Sequence, residues 1–167
     1  MFEKISVRGR VAYMICSLEK VLLYYNCNKE EWKGLLEKLW LYTSIEFLDD
    51  WMYEIAEYMP NSVLEDSLDG AEFISENEYN HLQKLYRKTN SDVLYLVKII
   101  FECGTCNLYS KLRDCSPNTI KCIQQAIEVL KKLDIELIDV KSFEKYAYNE
   151  CDGWGTPFEG KKLSIIL

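Results

Sequence analysis

The chain has 167 residues, 49% of them hydrophobic and 28% charged, with a formal net charge of −7. That length fits one domain able to bury a sizeable core without staples, and the composition lies far from disorder. The negative balance excludes nucleic acid as the main ligand, because phosphate binding needs a basic footprint.

The opening MFEKISVRGR holds no apolar run of secretory-signal length, and no later run reaches the ~20 residues of a membrane span. A cytoplasmic protein is expected, its seven cysteines reduced rather than paired in a disulfide framework. From Val11, apolar residues recur at Met14, Ile15, Leu18, Leu22 and Tyr25, the stripe of an amphipathic helix that Asn26 and Asn28 break. A second stripe runs through Trp32, Leu35, Leu36, Leu39 and Trp40, with Glu30 and Glu31 well placed near its N-terminus.

A third helix, or a continuation of the second, is predicted for EFLDDWMYEIAE, with Pro60 ending it. At ~100° per residue, Glu46, Asp50, Glu54 and Glu57 share one quarter of the wheel, while Phe47, Trp51, Ile55 and Tyr58 are expected to face the core. Residues 60–75 read as the most loop-like stretch. Ser75 with Glu78 forms a capping box for a helix carrying Tyr79, Leu82 and Leu85 inward, and Asn90 or Ser91 caps the next. Ser116-Pro117, a cap followed by proline at the first helical position, opens another with Ile120, Ile123, Ile127 and Leu130 inward. DIELIDV is a short strand or an extended connection, and the glycine-punctuated, aromatic KYAYNECDGWGTPFEG closes the chain. Without a repeat or linker, residues 1–167 form a single all-α domain: a bundle of about six helices with an irregular C-terminal segment.

Cys103-Gly-Thr-Cys106 is the nearest thing to a chemical motif, and a thiol-redox or metal-dependent enzyme built on it is the alternative reading. Against it, the flanking spacing is helical and no βαβ pattern surrounds the pair. Adding Cys115 and Cys122 gives spacings that match no common zinc site. His81 is the single histidine, so the Glu78-x-x-His81 half of a di-iron site has no second half. Neither a metal nor another cofactor is expected. Gly153-Trp154-Gly155 reads as a clasp, its glycines letting the large ring fold back onto the core.

Between Ile45 and Asn80 there are eleven acidic side chains and not one Lys or Arg. An ordinary solvated helix interleaves opposite charges and gains i, i+4 pairs. This segment forgoes them, and an acidic surface of that kind steers a basic partner. Glu46, Asp49, Asp50, Glu54 and Glu57, with Glu65, Asp66 and Asp69 from the following loop, are the candidate contacts. Reversing Glu54 and Glu57 to Lys is expected to spare folding.

The stretches LWLYTSIEFLDDWMYEIAEYMP, CGTCNLYSKL and FEKYAYNECDGWGTPF resemble a family of immunity proteins from bacterial polymorphic toxin systems. The resemblance spans nearly the whole chain but rests on packing and surface residues rather than on a catalytic signature. It implies a small, non-enzymatic cytoplasmic inhibitor that binds and blocks a cognate toxin domain, basic and possibly a nuclease, with no membrane or direct nucleic-acid contact.

Overall fold

Local capping signals set where most of the helices begin in the computed structural model, which describes all residues from Met1 to Leu167. There are seven α-helices: α1 (Val7–Tyr24), α2 (Lys29–Leu41), α3 (Leu48–Ala56), α4 (Pro60–Glu65), α5 (Glu76–Lys88), α6 (Ser91–Thr105) and α7 (Pro117–Lys132). No strand forms; DIELIDV is an extended connection, and the one ladder contact is an antiparallel bridge between Ile5 and Ala147. The fold is an all-α bundle around one hydrophobic core.

Ser75 and Glu78 make the expected reciprocal capping box at α5, and Asn90 caps α6 through the Asp92 N–H at 2.8 Å. Two expectations are corrected. Pro60 does not hand over to a loop; it sits at the first position of α4, where its missing N–H costs nothing. Ser116 precedes Pro117 as expected, but its hydroxyl caps nothing. Asp114, Cys115 and Ser116 are all left-handed (φ 49°, 56° and 52°), which turns the Ser116 side chain toward Asn107 and Thr119 instead.

The larger correction concerns α1. Fifteen of its eighteen residues are buried, so the helix is covered all round rather than on one stripe. Helices α2, α6 and α7 pack on it, and the C-terminal segment closes the side they leave open. Covering that side buries Arg8, Arg10 and Glu19, and each must find hydrogen-bond partners there. Arg8 donates from Nε to the Gly155 carbonyl (3.2 Å) and from Nη1 to the Tyr42 carbonyl (2.5 Å). Arg10 holds the left-handed turn through the Cys115 carbonyl (2.7 Å) and Thr119 Oγ1 (2.6 Å), with Tyr148 stacked on its guanidinium. The Glu19 carboxyl accepts from Trp40 Nε1, the Ser164 hydroxyl and the Ile165 N–H.

The tail therefore follows α1 along its length. Backbone bonds join Ser6 to Tyr146, Arg8 to Trp154 and Phe158 to Thr43 before Glu19 fixes the end. Gly155 is required where the tail crosses the start of α1: its φ is +87°, and a Cβ there would collide with the Ser6 side chain.

Glu19→Ala would orphan three donors, each costing about 1–3 kcal/mol if it stays buried and unsatisfied. The melting temperature should fall by many degrees, with faster amide exchange appearing first in residues 160–167. Exchange that accelerates evenly over the whole chain would mean the tail is not held at this point.

Candidate functional site

Trp51 fixes α3 to the bundle. Its indole N–H donates to the Lys38 carbonyl at 2.9 Å, its ring stacks on Phe101 and meets Tyr42 edge-on, and the side chain is fully buried. With that face inward, Asp49, Asp50 and Tyr53 point to solvent. The helix starts at Leu48, so Glu46 and Phe47 lie before it and do not follow its wheel. Phe47, expected in the core, occupies the N-cap position with no capping bond and is 60% exposed.

The eight acidic candidates do not form one bare face. Glu46, Asp49 and Asp50 are exposed at the N-terminal end of α3 and make no ion pair. Glu54 is half-buried and paired with Lys38 of α2 at 2.6 Å. Glu57 closes the C-terminal end of α3 and accepts the backbone N–H groups of Glu72, Phe73 and Ile74 at 2.7–2.8 Å. Glu65, expected in a loop, is the last residue of α4, and Asp66 and Asp69 lie beyond it; all three are exposed, with Asp66 and Asp69 lining a hollow of about 460 Å³ shared with Glu57. The expectation of uniformly unpaired carboxylates is thus corrected for Glu54 and Glu57, whose partners come from another helix and a distant loop.

At the other end of α3 lies a groove of about 840 Å³. Three chain segments build it: residues 46–49, Leu108 with Tyr109 after α6, and Cys151, Trp154, Gly155 and Pro157 of the tail. The remaining lining residue is Arg8. Its side chain is only 4% exposed; Nε and Nη1 are engaged, and Nη2 makes no hydrogen bond within the protein. Tyr109 is 74% exposed, and its hydroxyl meets that of Tyr53 at 3.1 Å. The Tyr53 contact first, with the Asp49 carboxylate adding to it, pushes the Tyr109 phenol up to about 12. The site offers aromatic walls, a carboxylate rim and a guanidinium donor at its floor.

Sequence reasoning found Glu46 and Asp49 but missed Phe47, Tyr109 and Arg8. Trp154 is half-buried against the core, and its carbonyl accepts the Arg8 N–H at 3.1 Å. The clasp therefore works through the backbone at 154–155 as well as the ring, whose open part lines the groove.

Cys103 and Cys106 lie at the C-terminal end of α6, the end whose dipole disfavours a thiolate. Contact with Cys122 and then burial push the Cys103 thiol well above its ordinary value, and burial pushes Cys106 up to about 11. Cys103 and Cys122 are buried, as packing thiols should be, whereas Cys106 is exposed. His81 is on the surface, against the Glu31 carbonyl at 2.9 Å. No group of three or more His, Cys, Asp or Glu side chains is placed to hold a metal ion, and no helix is long and apolar enough to cross a membrane. Comparison with family models, with curated proteins and with solved structures found no match for this chain.

Glu57 supplies a pH test. Burial alone would raise its pKa, but three backbone donors outweigh burial and lower it. Because the folded value is the lower one, this stabilisation is complete above the unfolded carboxyl value of about 4.3 and is lost as pH falls through the folded value. Glu57→Gln should cost about 1 kcal/mol at neutral pH, flatten the acid limb of the stability curve and speed amide exchange at residues 72–74. Glu57→Lys should do more damage, contrary to the expectation that reversal spares folding. Unchanged exchange at 72–74 in either variant would show that Glu57 does not hold the loop.

Proposed function

We propose that this chain is a non-enzymatic immunity protein of the cytoplasm, which binds a basic bacterial toxin domain and neutralises it by covering its active site or substrate groove. The observation that carries the reading is the exposed patch at the start of α3, where Phe47, Tyr53 and Tyr109 stand beside the unpaired carboxylates Glu46, Asp49 and Asp50. Aromatic side chains left in water at one place mark binding hot spots, and surrounding charges of one sign select the partner and speed encounter. A solvated face needs carboxylates but gains nothing from the rings. The resemblance to immunity proteins points the same way, since the three stretches that carry it meet at this patch.

The test is to co-express the product of the neighbouring gene with this protein and score survival of the cells, then measure binding of the purified pair. Wild type should protect, and its association rate should fall as salt shortens steering to ~8 Å near physiological ionic strength. Glu46→Lys with Asp49→Lys should weaken binding far more than folding, because neither residue makes an ion pair and the change at Asp49 costs only its interaction with the helix dipole, about 0.3–1 kcal/mol. Phe47→Ser should give opposite signs: a new N-cap adds about 1 kcal/mol of stability, yet protection should be lost. Protection and affinity unchanged in all of these variants would sink the proposed surface. A Cys103→Ser, Cys106→Ser variant that folds but fails to protect would revive the thiol-enzyme alternative.

A further inference from the structure

We propose that the groove between α3 and the tail receives one loop of the partner, which lodges an Arg or Lys side chain against Phe47, Tyr109 and the Glu46 and Asp49 carboxylates while a main-chain carbonyl of the same loop accepts from Arg8 Nη2. This rests on the reading of the partner as a basic protein and names the part of that partner that does the docking.

The polar ends of the groove select the occupant. At the floor, Arg8 is 4% exposed and presents a donor with no partner. An occupant that brings no acceptor there desolvates a charged donor and leaves it unsatisfied, which is costly. At the rim, Glu46 and Asp49 repel an anion and attract a cation. A free anion or an acidic loop would suit Arg8 but meet the rim with the wrong sign. An apolar helix would fill the volume and satisfy neither end, its carbonyls being spent inside the helix. An extended basic segment satisfies both, because every peptide unit carries an acceptor and the side chain carries the cation. Its guanidinium or ammonium also lies favourably over an aromatic face. The volume, about 840 Å³, suits a few residues of such a loop and sits within the range of about 300–1,000 Å³ found for ligand pockets.

Arg8 is unsuited to mutation as a first test, because it also holds the tail. The probes are instead two blocked tripeptides, acetyl-Gly-Arg-Gly-amide and acetyl-Gly-Glu-Gly-amide, titrated into the isotope-labelled protein and followed by amide chemical shifts. The arginine peptide should shift residues 46–49, 108–109 and 154–155, and the glutamate peptide should not. Phe47→Ala with Tyr109→Ala removes exposed rings only and should weaken the arginine peptide by about tenfold or more. Glu46→Gln with Asp49→Gln should do the same. The proposal is overturned if the arginine peptide shifts nothing in the groove, or if its shifts spread equally over Glu65, Asp66 and Asp69, which would be diffuse charge attraction. The toxin assay separates the two readings. Full protection by the Phe47→Ala, Tyr109→Ala variant would remove the groove and leave the immunity reading standing. Absence of protection by wild type would remove the immunity reading, with the peptide titration still deciding the groove.

Discussion

Burial of α1 on every side is the constraint from which the rest of the arrangement follows. A helix surrounded by α2, α6 and α7 could have been apolar throughout, and most of this one is. Its three buried ionisable side chains, Arg8, Arg10 and Glu19, are expensive to desolvate and have no ion pair with one another. Each is compensated by donors or acceptors from segments that have no regular structure of their own. Arg10 takes the carbonyl of a left-handed turn, Arg8 takes the tail at Gly155, and Glu19 takes the tail at Ser164 and Ile165. Irregular backbone has carbonyl and N–H groups to spare, which helices do not. The charged side chains and the irregular segments satisfy each other at every contact but one, Arg10 Nη2 being the buried guanidinium nitrogen left without a partner.

The groove is a product of the same arrangement. Arg8 bonds the Gly155 carbonyl, which holds Trp154 as one wall and leaves the third guanidinium nitrogen without a hydrogen bond inside the protein. The site's floor donor and its tail wall are thus set by one residue, and the site cannot loosen without the tail loosening too. Rigid placement of this kind lowers the ordering cost of binding. On the opposite side, Trp51 locks α3 by a hydrogen bond to α2 and stacking on α6, so the acidic and aromatic side chains at the start of α3 are presented on a fixed element.

Much of the helical architecture was legible in the sequence because its determinants are local. The Ser75–Glu78 box, the Asn90 cap and Pro117 at a first helical position act within one turn, and a period of 3.6 shows over a dozen residues. What stayed hidden depends on chain that is distant. The Val11–Leu22 stripe is real, but the polar side of α1 is closed by residues more than a hundred positions away. The wheel drawn from Glu46 assumed a helix that starts two residues later, so it turned Phe47 inward when it is outside the helix altogether. Lys38 lies on another helix and the Glu57 loop fifteen residues ahead, so a reading confined to one helix counted both acids as free. Tyr109 had no periodicity to place it.

The acidic residues at the start of α3 have a local explanation that must be weighed against the functional one. Asp49 and Asp50 lie in the first turn, where carboxylates interact favourably with the helix dipole by about 0.3–1 kcal/mol. Dipole compensation accounts for their sign without any partner. It does not account for position 47. The N-cap of an exposed helix favours Ser, Thr, Asp or Asn, and a good cap contributes about 1 kcal/mol. Here the position holds a phenylalanine that makes no capping bond and exposes most of its ring. A residue chosen for stability would be small and polar. The ring forgoes the cap, adds apolar surface to water, and stands with Tyr109 on the rim of the groove that Arg8 floors. The departure from local preference falls where the three segments converge; α4 and α7 also start without a side-chain cap, but with buried Met59 and Ser116 at that position and a proline after it, so the exposed, uncapped aromatic at the start of α3 is what local stability does not explain.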